Sequence, residues 1–227
     1  MGCWRAFFDC ANLRPRAGWC WGAQGFARPV ATFLGKYTGT VTVMIDRNQR
    51  EAALAVREGF NVITGDALEP EVLHSRHDLV QAGHLLALTE NSDLNELACH
   101  RWSEFLSRDN LFRWSTDGSA RHHRVSHGIA VWTELPRPGL VASELASGES
   151  TLEEFIVAGP GPLPSLTVPL LLSREGVVRL VNTSKPDFKK ATACRCYVAP
   201  AATWRGRWRQ VGWLIFPTTR CRLPTQG

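Results

Sequence analysis

At 227 residues with 44% hydrophobic side chains, the chain is long enough for one full domain of roughly 100–150 residues plus a smaller one, and apolar enough to bury a core. No run approaches the ~18–20 uninterrupted apolar residues of a membrane-crossing helix. The N-terminus also lacks the charged start, apolar stretch and cleavage site of a signal peptide, so a cytoplasmic protein is expected.

The net charge of +5 is unevenly placed. Residues 22–190 carry 17 Lys+Arg against 20 Asp+Glu, whereas residues 1–21 and 191–227 together carry 9 basic and 1 acidic residue. Six of the seven Cys and six of the nine Trp also lie outside 22–190. A shifted reading frame or a misassigned start would produce so abrupt a change, and a real basic tail is the competing reading. Residues 1–17 and 191–227 are therefore read as an atypical extension and an atypical basic tail, and the fold is argued from what lies between.

Gly18-Trp-Cys-Trp-Gly22 is a poor but possible first strand. Phe26 to Gly35 suits a helix whose Phe26, Val30, Ala31, Phe33 and Leu34 face a sheet, with Pro29 tolerated in the first turn. Thr40 to Asp46 is a β-branched run ending in a carboxylate. Asn48 to Glu58 follows as a helix with Ala52, Ala53 and Val56 on one face and Gly59 at its left-handed end. Phe60–Thr64 reads as a second strand before Gly65-Asp66, Glu69–His77 as a short helix, and Gly83–Leu88 as a third, buried strand. Thr89 then leads into a helix from about Ser92 to Leu106, and Asn110–Ser115 is one more strand. Strands alternating with helices imply a parallel sheet with crossover helices.

Beyond it, polar residues 116–128 read as a linker. Gly139–Ser147 and Thr151–Val157 look like short helical pieces, and Gly159–Pro164 is a proline-rich break. Thr167–Ser173 and Gly176–Val181 are two strands of a small module. The expected fold class is thus α/β, a Rossmann-like parallel sheet with flanking helices at 18–115, a connecting stretch at 116–158, and a small incomplete α+β module at 159–190.

A dinucleotide site needs a tight turn after the first strand, close backbone approach at the pyrophosphate, a helix N-terminus facing the phosphates and an acid about 20 residues on. Gly22-Ala23-Gln24-Gly25-Phe26-Ala27 followed by Asp46 meets most of this. Gln24 replaces the second glycine and narrows the space for a pyrophosphate. Gly65, Asp66 and Thr89 fall on the same carboxyl edge. Asp46 could equally serve the start of the following helix, a role worth ~1 kcal/mol or less.

Val43-Met-Ile-Asp46-Arg-Asn, Gly59-Phe-Asn-Val-Ile-Thr-Gly65-Asp66-Ala67 and Ala87-Leu-Thr89-Glu-Asn91-Ser-Asp-Leu-Asn95 together resemble the regulator-of-potassium-conductance domain, also called the TrkA N-terminal domain. The Gly22–Arg28 start is similar to versions attached to bacterial monovalent cation:proton antiporters. The resemblance covers about residues 20–115. It implies NAD(H) or an adenine nucleotide across the strand ends, a homo-oligomer formed through this domain, and control of a membrane cation transporter, which would place the chain at the cytoplasmic face of the inner membrane. By motif position Gly22, Ala23, Gln24 and Ala27 would approach the phosphates. Asp46 and Arg47 would meet the ribose, Asp66 and Ala67 the adenine, and Thr89 with Asn91 the far side, with Gly65 also among the cofactor-binding residues. Val168–Val181 resembles part of the companion C-terminal module, although Ala191-Thr-Ala-Cys194 departs from the expected continuation.

Other constellations are weaker. His122, His123 and His127 lie in the polar linker and read as solvated. Cys194 and Cys196 lack the second pair a zinc site needs. The pattern Trp204-Arg-Gly-Arg-Trp-Arg209 is sticky but not read as a nucleic-acid site. Asn182-Thr-Ser184 would matter only in a secreted chain. Hydrolase and phosphotransferase signatures are missing. The expected role is binding and not catalysis, with a small NAD-dependent oxidoreductase or a non-functional antiporter fragment as alternatives.

Overall fold

The computed structural model describes residues 17–22, 25–39, 42–70, 82–115, 127–157, 167–174, 177–182, 193–198 and 213–215. The expected helix at Glu69–His77 lies largely outside these, as do Ala23, Gln24, His122 and His123.

Six strands form one parallel sheet: β1 Ala17–Trp21, β2 Thr42–Asp46, β3 Asn61–Thr64, β4 Ala82–Ala87, β5 Leu111–Trp114 and β6 Ile129–Val131. Their spatial order is β3-β2-β1-β4-β5-β6, and every neighbouring pair is parallel. This is the doubly wound order in which the chain steps outward from β1, then returns to its other side. The Rossmann-like α/β expectation is met. Ile129–Val131 was anticipated only as connecting chain; its short apolar run after Gly128 adds the sixth strand.

Buried parallel strands alternate their side chains between two covered faces. On one face Leu86 and Leu88 join Phe112, Trp114 and Val131 under α1, Ala27–Thr38, which contributes Val30, Phe33 and Leu34, with Phe26 just ahead of it. On the other, Leu85, Ala87, Val43 and Ile45 meet Ala98, Cys99 and Trp102 of α3, Ser92–Trp102. Phe26 and Phe33 are each 1% exposed, a burial worth ~1.5–3 kcal/mol apiece.

The helix α2, Gln49–Arg57, begins on Asn48, whose side chain accepts from the Arg50 and Glu51 amides, and is followed by Gly59 at φ 89°. Its buried positions are Ala52 and Ala55, and not the expected Ala52, Ala53 and Val56. The helix is rolled so that Glu51 and Glu58 reach Arg28 of α1. Those two acids share a face with Ala55, which turns Ala53 and Val56 to solvent.

The second sheet is antiparallel. It contains β7 Thr151–Val157, β8 Thr167–Arg174, β9 Val177–Leu180, β10 Ala193–Val198 and β11 Trp213–Ile215, in the order β11-β7-β10-β8-β9. Thr151–Val157, expected as a helical piece, is a strand because β10 pairs along all of its length but one residue. The stretch set aside as a tail supplies β10, which lies between β7 and β8.

The helix α4, Pro138–Ser147, falls where a helix was expected. The two sheets share one core, in which Leu170, Leu171 and Val178 pack with Phe26, Trp114 and Trp132. The indole of Trp132 donates to the Leu170 carbonyl at 2.8 Å and meets Phe26 edge to face at 5.6 Å. Lys36 of α1 reaches Glu154 of β7 at 3.1 Å. Among the described residues, no helix is long and apolar enough to cross a membrane.

Candidate functional site

The switch point of the first sheet lies between β1 and β4, where the loops leaving two neighbouring strands part in opposite directions. In sheets of this order ligands bind in that crevice, outside the carboxyl ends of the strands. Most of the sequence-selected residues meet along this edge.

Gly22 ends β1 at φ 93°, a conformation that L side chains rarely adopt. Its amide donates to the Ile45 carbonyl at 3.0 Å, and a Cβ placed on it would stand 3.6 Å from the Leu88 carbonyl oxygen. The backbone thus turns tightly over the end of β4. Ala27 opens α1 and is 2% exposed, so its small size serves close packing of helix on sheet. Phe26 at the cap position makes no side-chain hydrogen bond, and no acid occupies the first turn of α1. By contrast, α2 and α3 are each capped by an asparagine. Among the described residues, Phe26 thus supplies no cap to the first-turn amides of α1 and the helix places no acid of its own there, an arrangement suited to receiving an anion.

Asp46 ends β2. Its Oδ1 accepts from the Asn48 amide at 2.8 Å, and its carbonyl accepts from the Gly65 amide at 3.1 Å, tying the ends of β2 and β3 together. Arg47 beside it is exposed. Asp66 is partly buried and accepts from the Leu68 amide at 2.9 Å. Ala67 differs from its neighbours: it is fully buried in the face under α3, and its carbonyl accepts from the Trp102 indole at 2.8 Å. Its methyl group faces the core and does not line the edge.

Thr89 follows β4. Asn91 is exposed and caps α3, its Oδ1 accepting from the Asp93 and Leu94 amides at 3.0 and 3.1 Å. The polar groups of this edge are thus built into turns and caps that fix the loops in place.

Two features went unread in the sequence. Asn95, quoted there only as part of a motif, is fully buried and orders the Thr89 loop. The second is the position of α4. A Cβ on Gly25 would lie 3.3 Å from that of Ala142, and one on Gly139 would run into the Glu90 carboxylate. The helix therefore packs against both the loop after β1 and the loop after β4. A helix at 139–147 was legible; that it packs here depends on contacts distant in sequence.

The TrkA-N domain family model matches residues 21–121, a little under half of the chain. No curated protein matches the chain. Among solved structures, one described as the crystal structure of the GsuK RCK domain is similar at 13% identity and TM-score 0.42, covering 83% of this chain and 46% of that one. Another, described as the GsuK channel bound to NAD, has 12% identity and TM-score 0.41, with coverage of 83% and 38%. The chain spans less than half the length of either.

Proposed function

We propose that this chain is a regulatory module that binds NAD(H) or an adenine nucleotide at the β1/β4 switch point and thereby controls transport of a monovalent cation, potassium or sodium in exchange for protons. The observation that carries the reading is the start of α1. First-turn amides that Phe26 does not cap follow the Gly22 turn, and Asp46 ends the neighbouring strand. Phosphates would meet those amides with Gly22, Ala23, Gln24 and Ala27 around them. Asp46 and Arg47 would take the ribose hydroxyls, Gly65, Asp66 and the Ala67 backbone the adenine, and Thr89 with Asn91 the far end.

Binding without turnover suits this edge, where Asp46, Asp66, Thr89 and Asn91 all hold turns or caps. A ligand that prefers one arrangement of paired domains shifts their population, and so the state of an attached transporter. In this reading the chain assembles as a homo-oligomer through its first sheet and works in the cytoplasm against a membrane transporter of the inner membrane, of the cation:proton antiporter type. A divided domain plan belongs to the same proposal, with 18–115 as the nucleotide unit. Sedimentation of the full chain with and without NADH tests it: the reading expects the self-association constant to change with ligand. Steady consumption of NADH with carbonyl substrates would contradict it.

A further inference from the structure

His100 stands in the last turn of α3, and His127 lies two residues ahead of β6. Their Nδ1 atoms are 3.4 Å apart and their ring centroids 4.1 Å apart, with planes tilted by 53°. Such a gap has room for one N–H between the two nitrogens, as in a neutral or singly charged pair. An imidazolium carries a proton on both of its nitrogens. Two of them here would set N–H against N–H and charge against charge, so the contact survives a first proton and not a second.

The surroundings give little relief to a second charge. Among the described residues, α3 brings Glu96 and Cys99 to this face, β5 brings Arg113, and the turn Arg108–Asn110 brings Arg108. Glu96 already pairs with Arg113 at 3.4 Å, and that arginine side chain is 1% exposed. The Cys99 thiol, pushed up to about 12 by burial, is neutral throughout the acid range. Arg101, Glu104 and Asp109 are exposed to water. Burial holds the His127 imidazole below its usual value, the His100 and Arg108 charges add to this, and Glu96 opposes them.

What the pair holds is the start of an edge strand. The His127 carbonyl accepts from Arg113 Nε at 3.1 Å, and its amide points to Glu96 Oε1 at 3.4 Å. Three residues long, β6 pairs with β5 at the border of the first sheet. It runs directly into Trp132, which joins that sheet to the second.

We propose that His100 and His127 form a proton-operated latch: their contact pins the start of β6 to the end of α3, and uptake of a second proton opens it and loosens the strand leading to Trp132. The latch needs no nucleotide and stands apart from the ligand reading. A histidine held below its usual value contributes stability above ~6.5, and that contribution is lost as pH falls through the lower folded value.

Amide exchange of β6 in the full chain, corrected for intrinsic rates and followed from neutral to mildly acid pH, tests the proposal. Protection of Ile129–Val131 should fall on acidification, by up to about tenfold per pH unit for each proton taken up, while the β2 amides keep theirs. His100→Gln, at an exposed position, and His127→Gln should each make β6 protection independent of pH. His122→Gln/His123→Gln should keep the acid response. By proton NMR, the His127 ring should titrate at higher pH in His100→Gln than in the unaltered chain, because the neighbouring charge is gone. An unaltered chain whose β6 ignores acid or loosens only together with β2, the same acid loss in both single variants, a response abolished in the His122/His123 variant, or a His127 titration unmoved by His100→Gln would overturn it.

Discussion

Asn95 grips Thr89 by three hydrogen bonds: its Oδ1 accepts from the Thr89 amide at 2.9 Å and hydroxyl at 2.6 Å, and its Nδ2 donates to the Thr89 carbonyl at 2.9 Å. Nδ2 also reaches the Trp114 carbonyl at 3.1 Å, so one carboxamide ties the ends of β4 and β5. Replacing it by Leu keeps the volume and leaves partner groups unmet. Asn95→Leu is expected to cost about 2–4 kcal/mol, measured by urea unfolding, and to weaken nucleotide binding through the Thr89 loop. A loss under ~0.5 kcal/mol would show that water replaces the network.

Trp132 joins the two sheets from an unusual backbone, φ 57°, which a bulky residue adopts at a cost of ~1–3 kcal/mol. Packing on Phe26 and the bond to the Leu170 carbonyl offset it. Trp132→Phe retains an aromatic ring but loses the indole bond to the Leu170 carbonyl, which keeps its bond from the Val181 amide at 3.0 Å. The expected destabilisation is about 0.5–1.5 kcal/mol, read as a lower urea midpoint at constant slope. An unchanged midpoint would mean the indole bond contributes nothing to the seam.

Cys99 is fully buried in the core, and its Sγ donates to the Phe112 carbonyl at 3.6 Å. Burial pushes the thiol from 9.0 up to about 12, with Arg113 opposing and Glu96 adding to it. The fold therefore favours the protonated thiol. Its contribution is complete below the unfolded value near 9 and is lost as pH rises toward 12, at up to about 1.4 kcal/mol per pH unit. Urea midpoints taken across that window should fall less steeply in Cys99→Ala than in the unaltered chain. Equal slopes would contradict the assignment.

The parallel sheet was legible because its signals are local. Val43, Met44 and Ile45 announce a buried strand, Asn48 and Asn91 announce helix starts, and Gly22 and Gly59 stand where the chain takes a positive φ. What failed depends on partners far along the chain. Thr151–Val157 contains Leu152, Glu153 and Glu154, which locally suit a helix, and becomes a strand through β10, whose Cys-rich sequence had argued against including it. The roll of α2 is set by Arg28, 23 and 30 residues away from its partners. The seat of α4 rests on Gly25 and Glu90. At the site, Asp46 and Gly22 were found from spacing, whereas the burial of Ala67 and the bracing by Asn95 follow from the packing of α3 under the sheet.

The account turns on one ligand edge. Calorimetric titration of NADH, NAD, ATP and AMP into the full chain, repeated with Asp46→Ala, tests it most directly. The account predicts saturable binding of at least one of these, weakened about tenfold or more in Asp46→Ala as a charge-assisted hydrogen bond of ~1.5–3 kcal/mol is lost. Absence of saturable binding by all four, or an affinity untouched by Asp46→Ala, would contradict it.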